Sequence, residues 1–333
     1  MKFGQPRRLV DFAVPAPSKN GYLMAILKAY GDESGKSNDP QIDCIAMATV
    51  IGTSEQWSDF NERWDLMLKT HDIPYLHMKD IVATKDAKDP LSSKLADPVA
   101  LDLLMQDASY CIIRAGLQCF ANAVWLNDLR NVSDAFGLEI KDPYSFTLYV
   151  NVVMLGTWTL NHFSSDPSFQ LILDRIERGY RKADLAHQLY QTDSYMAWRG
   201  WPLVTPMSPN EKAGSREMNE LQAADLVAWS LRRNLKLMEE WLRTMKETVP
   251  EPDRHRSLQT WLEAHINDKE RTAPHVRAYF RPWACLMDHG VLKFYNFDED
   301  RLKRLFFLRQ SEYPPQQKQD AIAKAGRPFP LAT

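Results

Sequence analysis

Cysteine, long apolar runs and net charge are all scarce in this sequence, and each scarcity excludes a class of protein. The four cysteines, Cys44, Cys111, Cys119 and Cys285, form no C-x-x-C pair and keep no zinc-like spacing from the histidines. That excludes a disulfide framework and argues against structural zinc, whose ligands arrive in close pairs; reduced thiols in a core are expected. The longest nearly apolar stretch, residues 146–160, carries Asn151 and falls short of the roughly 20 residues that span a bilayer. It reads as a buried helix, and no membrane partner is expected. Arg7 and Arg8 are followed only by LVDFAV before Pro15 and Pro17, which is not a secretory leader, so a cytoplasmic location is expected. Lys plus Arg total 41 against 43 Asp plus Glu, a formal charge of -2. A protein that coats nucleic acid through net charge is excluded, and any polyanion needs a local basic groove.

What is present is the balance of an ordinary folded chain, 44% hydrophobic and 25% charged, with length enough for one or two domains. Residues 1–20, with three prolines and little periodicity, predict an extended arm. LMAILKAY, closing at Gly31, predicts a first strand; residues 42–51 predict a second, joined to it by a link dense in turn formers. Ser54 as a cap, then Trp57, Phe60, Trp64, Leu66 and Leu68, predicts a helix. A second helix is expected over 98–110, a strand over 117–126, a long buried helix over 144–162 and a strand over 168–175. A helix near 183–190, a short strand over 201–205 and a strong helix over 217–238 follow. This order predicts an α/β fold with a mixed sheet. Beyond about residue 240 the pattern turns helical and more basic, with LKFYNF and RLKRLFFLR near its end. The expected organisation is an arm over 1–20, an α/β domain over 21–238 with a helical insertion over about 54–112, a mainly helical extension over 239–312 and a disordered tail over 313–333.

The residues that suggest chemistry are carboxylates in apolar surroundings. Asp32 and Glu33 end the first apolar strand, Asp174 ends the strand LILD, and Asp225 lies inside the apolar helix LQAADLVAW. A carboxylate so placed costs several kcal/mol unless it is paired, hydrogen-bonded or metal-bound. One reading lets Asp32, Asp174 and Asp225 converge on Mg²⁺ or Mn²⁺, which prefer hard oxygen ligands. Two ions about 4 Å apart would then activate water and stabilise the leaving oxygen of a phosphodiester. The other reading gives the three Asp residues separate structural roles, in a turn, a strand-end hydrogen bond and a helix salt bridge respectively. Gln222, three residues before Asp225, shares its helix face and is a candidate to orient the carboxylate or touch substrate. Glu33 falls on the opposite side of the strand from Asp32.

These residues carry a family resemblance. The start Tyr30-Gly31-Asp32-Glu33-Ser34-Gly35, the later Leu221-Gln222-Ala223-Ala224-Asp225-Leu226, the LILDR strand between them and LHMKD at residues 76–80 resemble the family labelled domain of unknown function 3800, over about residues 22–235. That family is similar to the ribonuclease H-like superfamily, in which acidic residues from the first strand, the fourth strand and the last helix bind catalytic Mg²⁺. The resemblance implies a ribonuclease H-like mixed five-stranded sheet flanked by helices, with Asp32, Asp174 and Asp225 as ligands. Two features depart from ribonuclease H proper: more than sixty residues of helical sequence separate the second and third strands, and the first helix offers no matching glutamate.

Other signals are weaker. Gly35-Lys36-Ser37 imitates the end of a phosphate-binding loop, but position 30 is Tyr where the loop needs Gly. His77 is a candidate general base or metal neighbour, against the commoner structural histidine. Lys212 and the run Arg175, Arg178, Arg181 and Lys182 are candidates to hold nucleic-acid phosphates, against the default of a solvated charge run. Trp57, Trp64 and Trp229 sit at helical apolar spacing and are expected in the core. The expected activity is therefore metal-dependent hydrolysis of nucleic acid, with a homo-oligomer through the C-terminal helices as a further option. The alternatives are a non-catalytic binding or adaptor protein of the same fold, in a mobile-element or phage-defence setting, and a small-molecule phosphohydrolase.

Overall fold

The computed structural model of the protein describes residues 27–35, 43–82, 97–136, 142–162, 169–173, 204–205, 216–245, 274–297 and 302. Within them lies one mixed sheet with helices on both faces. Its strands are β1 (Leu27–Ser34), β2 (Cys44–Gly52), β3 (Gln118–Trp125), β4 (Phe169–Leu173), β5 (Val204–Thr205) and β6 (Leu292–Phe297), in the order β5-β4-β1-β2-β3-β6. The ladders β1–β2 and β2–β3 are antiparallel. β4 runs parallel to β1, β5 parallel to β4 and β6 parallel to β3. The five expected strands are thus joined by a sixth. Leu292 and Phe294 of LKFYNF pack towards the core, and Phe294 meets Trp283 edge-on at 4.6 Å.

Seven helices are described: α1 (Ser54–Thr70), α2 (Met78–Val82), α3 (Pro98–Arg114), α4 (Leu126–Phe136), α5 (Pro143–His162), α6 (Asn219–Met245) and α7 (Pro274–Asp288). The cap of α1 is Thr53, one residue earlier than expected. Its side chain accepts the Gln56 N–H at 3.3 Å while Gln56 Oε1 accepts the Thr53 N–H at 2.9 Å, a reciprocal pair that only the T-x-x-Q spacing allows. Leu66 is also corrected: it is 66% exposed, and Met67 takes the buried position in that turn. α3 starts on Asp97, whose carboxylate accepts the Val99 N–H at 2.9 Å, with Pro98 in the first turn. α4 has no counterpart among the expected elements; it buries only Leu129, Val132 and Ser133 among those of its side chains whose burial is described.

Strand alternation divides the core into two layers. On one face of the sheet Tyr30, Cys44, Ala46, Ala48, Cys119, Ala121 and Ala123 lie under α1, α3, α6 and α7. Six of those seven side chains are small, so the helix that crosses β1 and β2 can approach closely. That helix is α6, which supplies Ala223, Ala224 and Ala228. On the other face Leu27, Ala29, Met47, Ile51, Phe120 and Val124 lie under α4 and α5. Gly31 belongs to this second face. A Cβ there would stand 2.9 Å from Leu173 Cδ2 and 3.0 Å from Thr49 Cγ2, so a larger residue before Asp32 would have to displace the ends of those two side chains. Gly35, which closes β1, has φ 111°, a conformation that excludes most side chains. No helix is long and apolar enough to cross a membrane among the described residues.

Candidate functional site

β1 does not stop at Asp32. It continues to Ser34, with Asp32 opposite Ala48 and Ser34 opposite Ala46, so the turn expected as the alternative role for Asp32 is not what is found. The pleat places Asp32 and Ser34 on the face of Tyr30, under α6, and Glu33 on the α5 face. Asp32 is 7% exposed, and its Oδ1 accepts the Glu33 N–H at 2.8 Å. At the same strand end the Arg232 Nε–H donates to Ser34 Oγ at 3.0 Å, which fixes the middle of α6 over the end of β1.

Asp225 lies two turns earlier on α6 and is 6% exposed; its Oδ2 accepts the Met78 N–H at 2.8 Å. Gln222, also buried, uses one oxygen for two donors, the Leu76 N–H and the Trp64 Nε1–H, both at 2.9 Å. The two side chains that make LQAAD distinctive therefore grip the backbone on either side of His77. Gln222 acts on the segment carrying LHMKD, joining it to α1 through Trp64. Two amide pairs support the same corner: Asn61 Nδ2 donates to Glu220 and Asn219 Nδ2 donates to Asp65, both at 2.8 Å.

His77 itself stands with Nδ1 3.1 Å from Asp80 Oδ2. Asp80 also accepts from Arg216 Nη2, at 3.0 Å on Oδ1 and 2.8 Å on Oδ2. The Arg216 guanidinium lies 5.4 Å from the Tyr75 ring centroid. Neither Asp80 nor Arg216 stands among the candidates drawn from sequence. Asp80 lies inside the LHMKD segment already singled out, but its partner is 136 positions away, and no local pattern marks such a pair.

Asp174, Arg175, Arg178, Arg181, Lys182 and Lys212 lie outside the described residues. In the sequence Asp174 follows Leu173, the last described residue of β4, and Leu173 pairs with Gly31, the residue before Asp32. Among the described residues no three His, Cys, Asp or Glu side chains gather as a metal-ligand group. What they do hold is two nearly buried carboxylates on one face of the sheet, which are hard oxygen donors of the type that suits Mg²⁺ or Mn²⁺. Trp57, Trp64 and Trp229 are buried, as expected. All four cysteines are free and buried; burial pushes the Cys44 and Cys111 thiols up to about 12 and raises Cys119 and Cys285 as well, so none is an activated nucleophile. No protein-family model matches the chain, and no curated protein matches it.

Proposed function

We propose that the protein is a divalent-metal-dependent phosphodiesterase that hydrolyses nucleic acid on a ribonuclease H-like fold. The observation that carries this is the ladder pair Gly31↔Leu173. It pairs the residue before Asp32 with Leu173, the last described residue of β4, while α6 brings Asp225 across the face that carries Asp32. Further support comes from the strand pattern, with β1, β2 and β3 in consecutive antiparallel order and β4 returning parallel beside β1. Asp32, Asp174 and Asp225 would hold two Mg²⁺ or Mn²⁺ ions. When bound, the ions supply an activated water and neutralise charge at phosphorus. The chain's own part is to hold the carboxylates in low-dielectric surroundings, with Asp32 tied to its neighbour's amide and Asp225 to Met78. Arg175, Arg178, Arg181, Lys182 and Lys212 would neutralise the phosphate backbone of DNA or RNA.

The test is cleavage of labelled DNA, RNA and hybrid oligonucleotides with Mg²⁺ or Mn²⁺ by the wild type and by Asp32→Asn, Asp174→Asn and Asp225→Asn. Loss of cleavage in all three is expected; wild-type rates in the variants would overturn the reading. A second reading, a non-catalytic adaptor, draws on the bond from Met78 to Asp225, which gives that carboxylate a structural role. Calorimetry with Mn²⁺ separates the two, because an adaptor needs no ion.

A further inference from the structure

We propose that His77 is the proton acceptor of this hydrolysis and that Asp80 is the residue that positions it; the inference rests on the phosphodiesterase reading and adds a group to its site. The first observation is mechanical. The N–H groups of Leu76 and Met78 are bound by Gln222 and Asp225, so the backbone of His77 is clamped on both sides to the helix turn that carries a proposed metal ligand. The Met78 N–H opens α2 and needs an acceptor from outside the helix in any case; what the clamp adds is a fixed place for the His77 backbone beside Asp225.

The second observation is chemical. An ionised carboxylate only accepts hydrogen bonds, so the proton between His77 Nδ1 and Asp80 Oδ2 belongs to the ring; in the neutral imidazole that tautomer has its lone pair on Nε2. Among the described residues nothing hydrogen-bonds Nε2, while the side chain is 21% exposed and so open to solvent. Arg216, bound to both Asp80 oxygens, offsets the negative charge that Asp80 brings. Among the described residues, the charged groups joined to the imidazole are Asp80 on its own segment and, through it, Arg216 from the approach to α6; Asp225 on α6 accepts from the next amide, that of Met78, and Lys79 is exposed.

In the step itself, Nε2 takes a proton from the attacking water as the water oxygen bonds to phosphorus. The bond from phosphorus to the leaving ester oxygen breaks, that oxygen takes a proton from solvent, and His77 returns its own proton to solvent.

The experiment measures pH–rate profiles on labelled DNA and RNA oligonucleotides with Mn²⁺ for the full chain and for Asp32→Asn, His77→Ala, His77→Gln and Asp80→Asn. Expected are a fall in kcat of about 100-fold or more in both His77 variants at little change in KM, loss of the acidic limb of the profile, and partial rescue of His77→Ala by free imidazole. Asp80→Asn should lower kcat by roughly tenfold at little change in KM, because the ring loses its orienting anion. His77→Gln keeps a polar side chain at the site, so thermal melting of that variant separates a folding defect from a catalytic one. If Asp32→Asn is dead while folded His77→Gln cleaves within about threefold of wild type with the same acidic limb, this proposal is overturned and the phosphodiesterase reading stands. If the wild type cleaves nothing, both fall.

Discussion

The two faces of the sheet treat buried polar groups in opposite ways. On the face under α6, Asp32, Ser34, Gln222 and Asp225 each have a hydrogen-bond partner, and three of those residues bond to a separate element. On the face under α5, the Thr49 hydroxyl, the Asn122 carbonyl oxygen and both amide atoms of Asn151 are buried with no partner among the described residues. They form a neighbourhood. Asn122 Nδ2 donates to the Thr147 carbonyl, one helical turn before Asn151, and Phe120, which pairs with Thr49, packs on Trp158 further along α5. Asn234, further along α6, and the Trp283 indole N–H on α7 are counterexamples on the first face, since both are also buried without a partner among the described residues. The contrast separates polar residues that build a site from polar residues that an apolar layer merely contains.

The sharpest way to break that contrast is to compare activity with stability. Asp32→Asn and Asp225→Asn should each lower cleavage by about 10²–10³-fold, the scale of losing one electrostatic stabiliser of a transition state. Their melting temperatures should stay close to wild type, because the amide oxygen can still accept the same N–H. Next in size, Gln222→Ala strands two buried donors and should cost about 2–4 kcal/mol in urea unfolding. It should also impair cleavage by loosening the His77 segment. Gly31→Ala tests the other layer: the added Cβ meets Leu173 and Thr49 side chains, and overpacking of this kind costs about 1–3 kcal/mol.

Smaller effects refine the comparison. Burial holds the Cys44 thiol up to about 12, from 9.0 in the unfolded chain, and Cys119 is raised by the same cause. Between those values the folded state keeps protons that the unfolded state has lost. Stability is therefore complete below about pH 9 and falls as pH rises above it, by about 1 kcal/mol per thiol at pH 10. Cys44→Ala and Cys119→Ala should flatten that slope in denaturant titrations, with little change at pH 7. The smallest effect is expected from Asn151→Leu, within about 0.5 kcal/mol of wild type and with full activity, since it removes an amide that has no partner among the described residues. A loss above about 1 kcal/mol would show that Asn151 has a partner and that the two faces are less different than described.

Much of the fold was legible because it rests on local pattern. The apolar runs that became β1, β2 and β3, the Trp57–Phe60–Trp64 spacing of α1 and the apolar stretch of α5 all name their elements. Errors fell where geometry is finer than pattern. Thr53 rather than Ser54 caps α1 because a cap is defined by which side chain reaches the third N–H. Leu66 faces outward because the buried stripe through Trp57, Phe60 and Trp64 continues to Met67 and Leu68, which a 3.6-residue period places on the same side and Leu66 off it. α4 has no counterpart in the pattern because its polar N-D, R-N and S-D pairs mask a stripe in which, among the side chains whose burial is described, Leu129 and Val132 are the buried aliphatics. Asp32 and Asp225 were legible as carboxylates out of place in apolar sequence. The clamp around His77 was not, since Gln222 and Leu76 are 146 positions apart and nothing local announces their bond.

The sixth strand has a consequence for how the chain is made. β6 pairs in parallel with β3 along Cys119–Val124, yet it is synthesised long after β3. At about 5–20 residues per second, β3 waits on the order of 10–30 s for its neighbour to leave the ribosome. Throughout that interval its outer hydrogen-bonding groups form an open edge that other strands can join. A chain shortened before residue 292 makes that interval permanent, so its solubility, more than its melting temperature, is the property that should suffer.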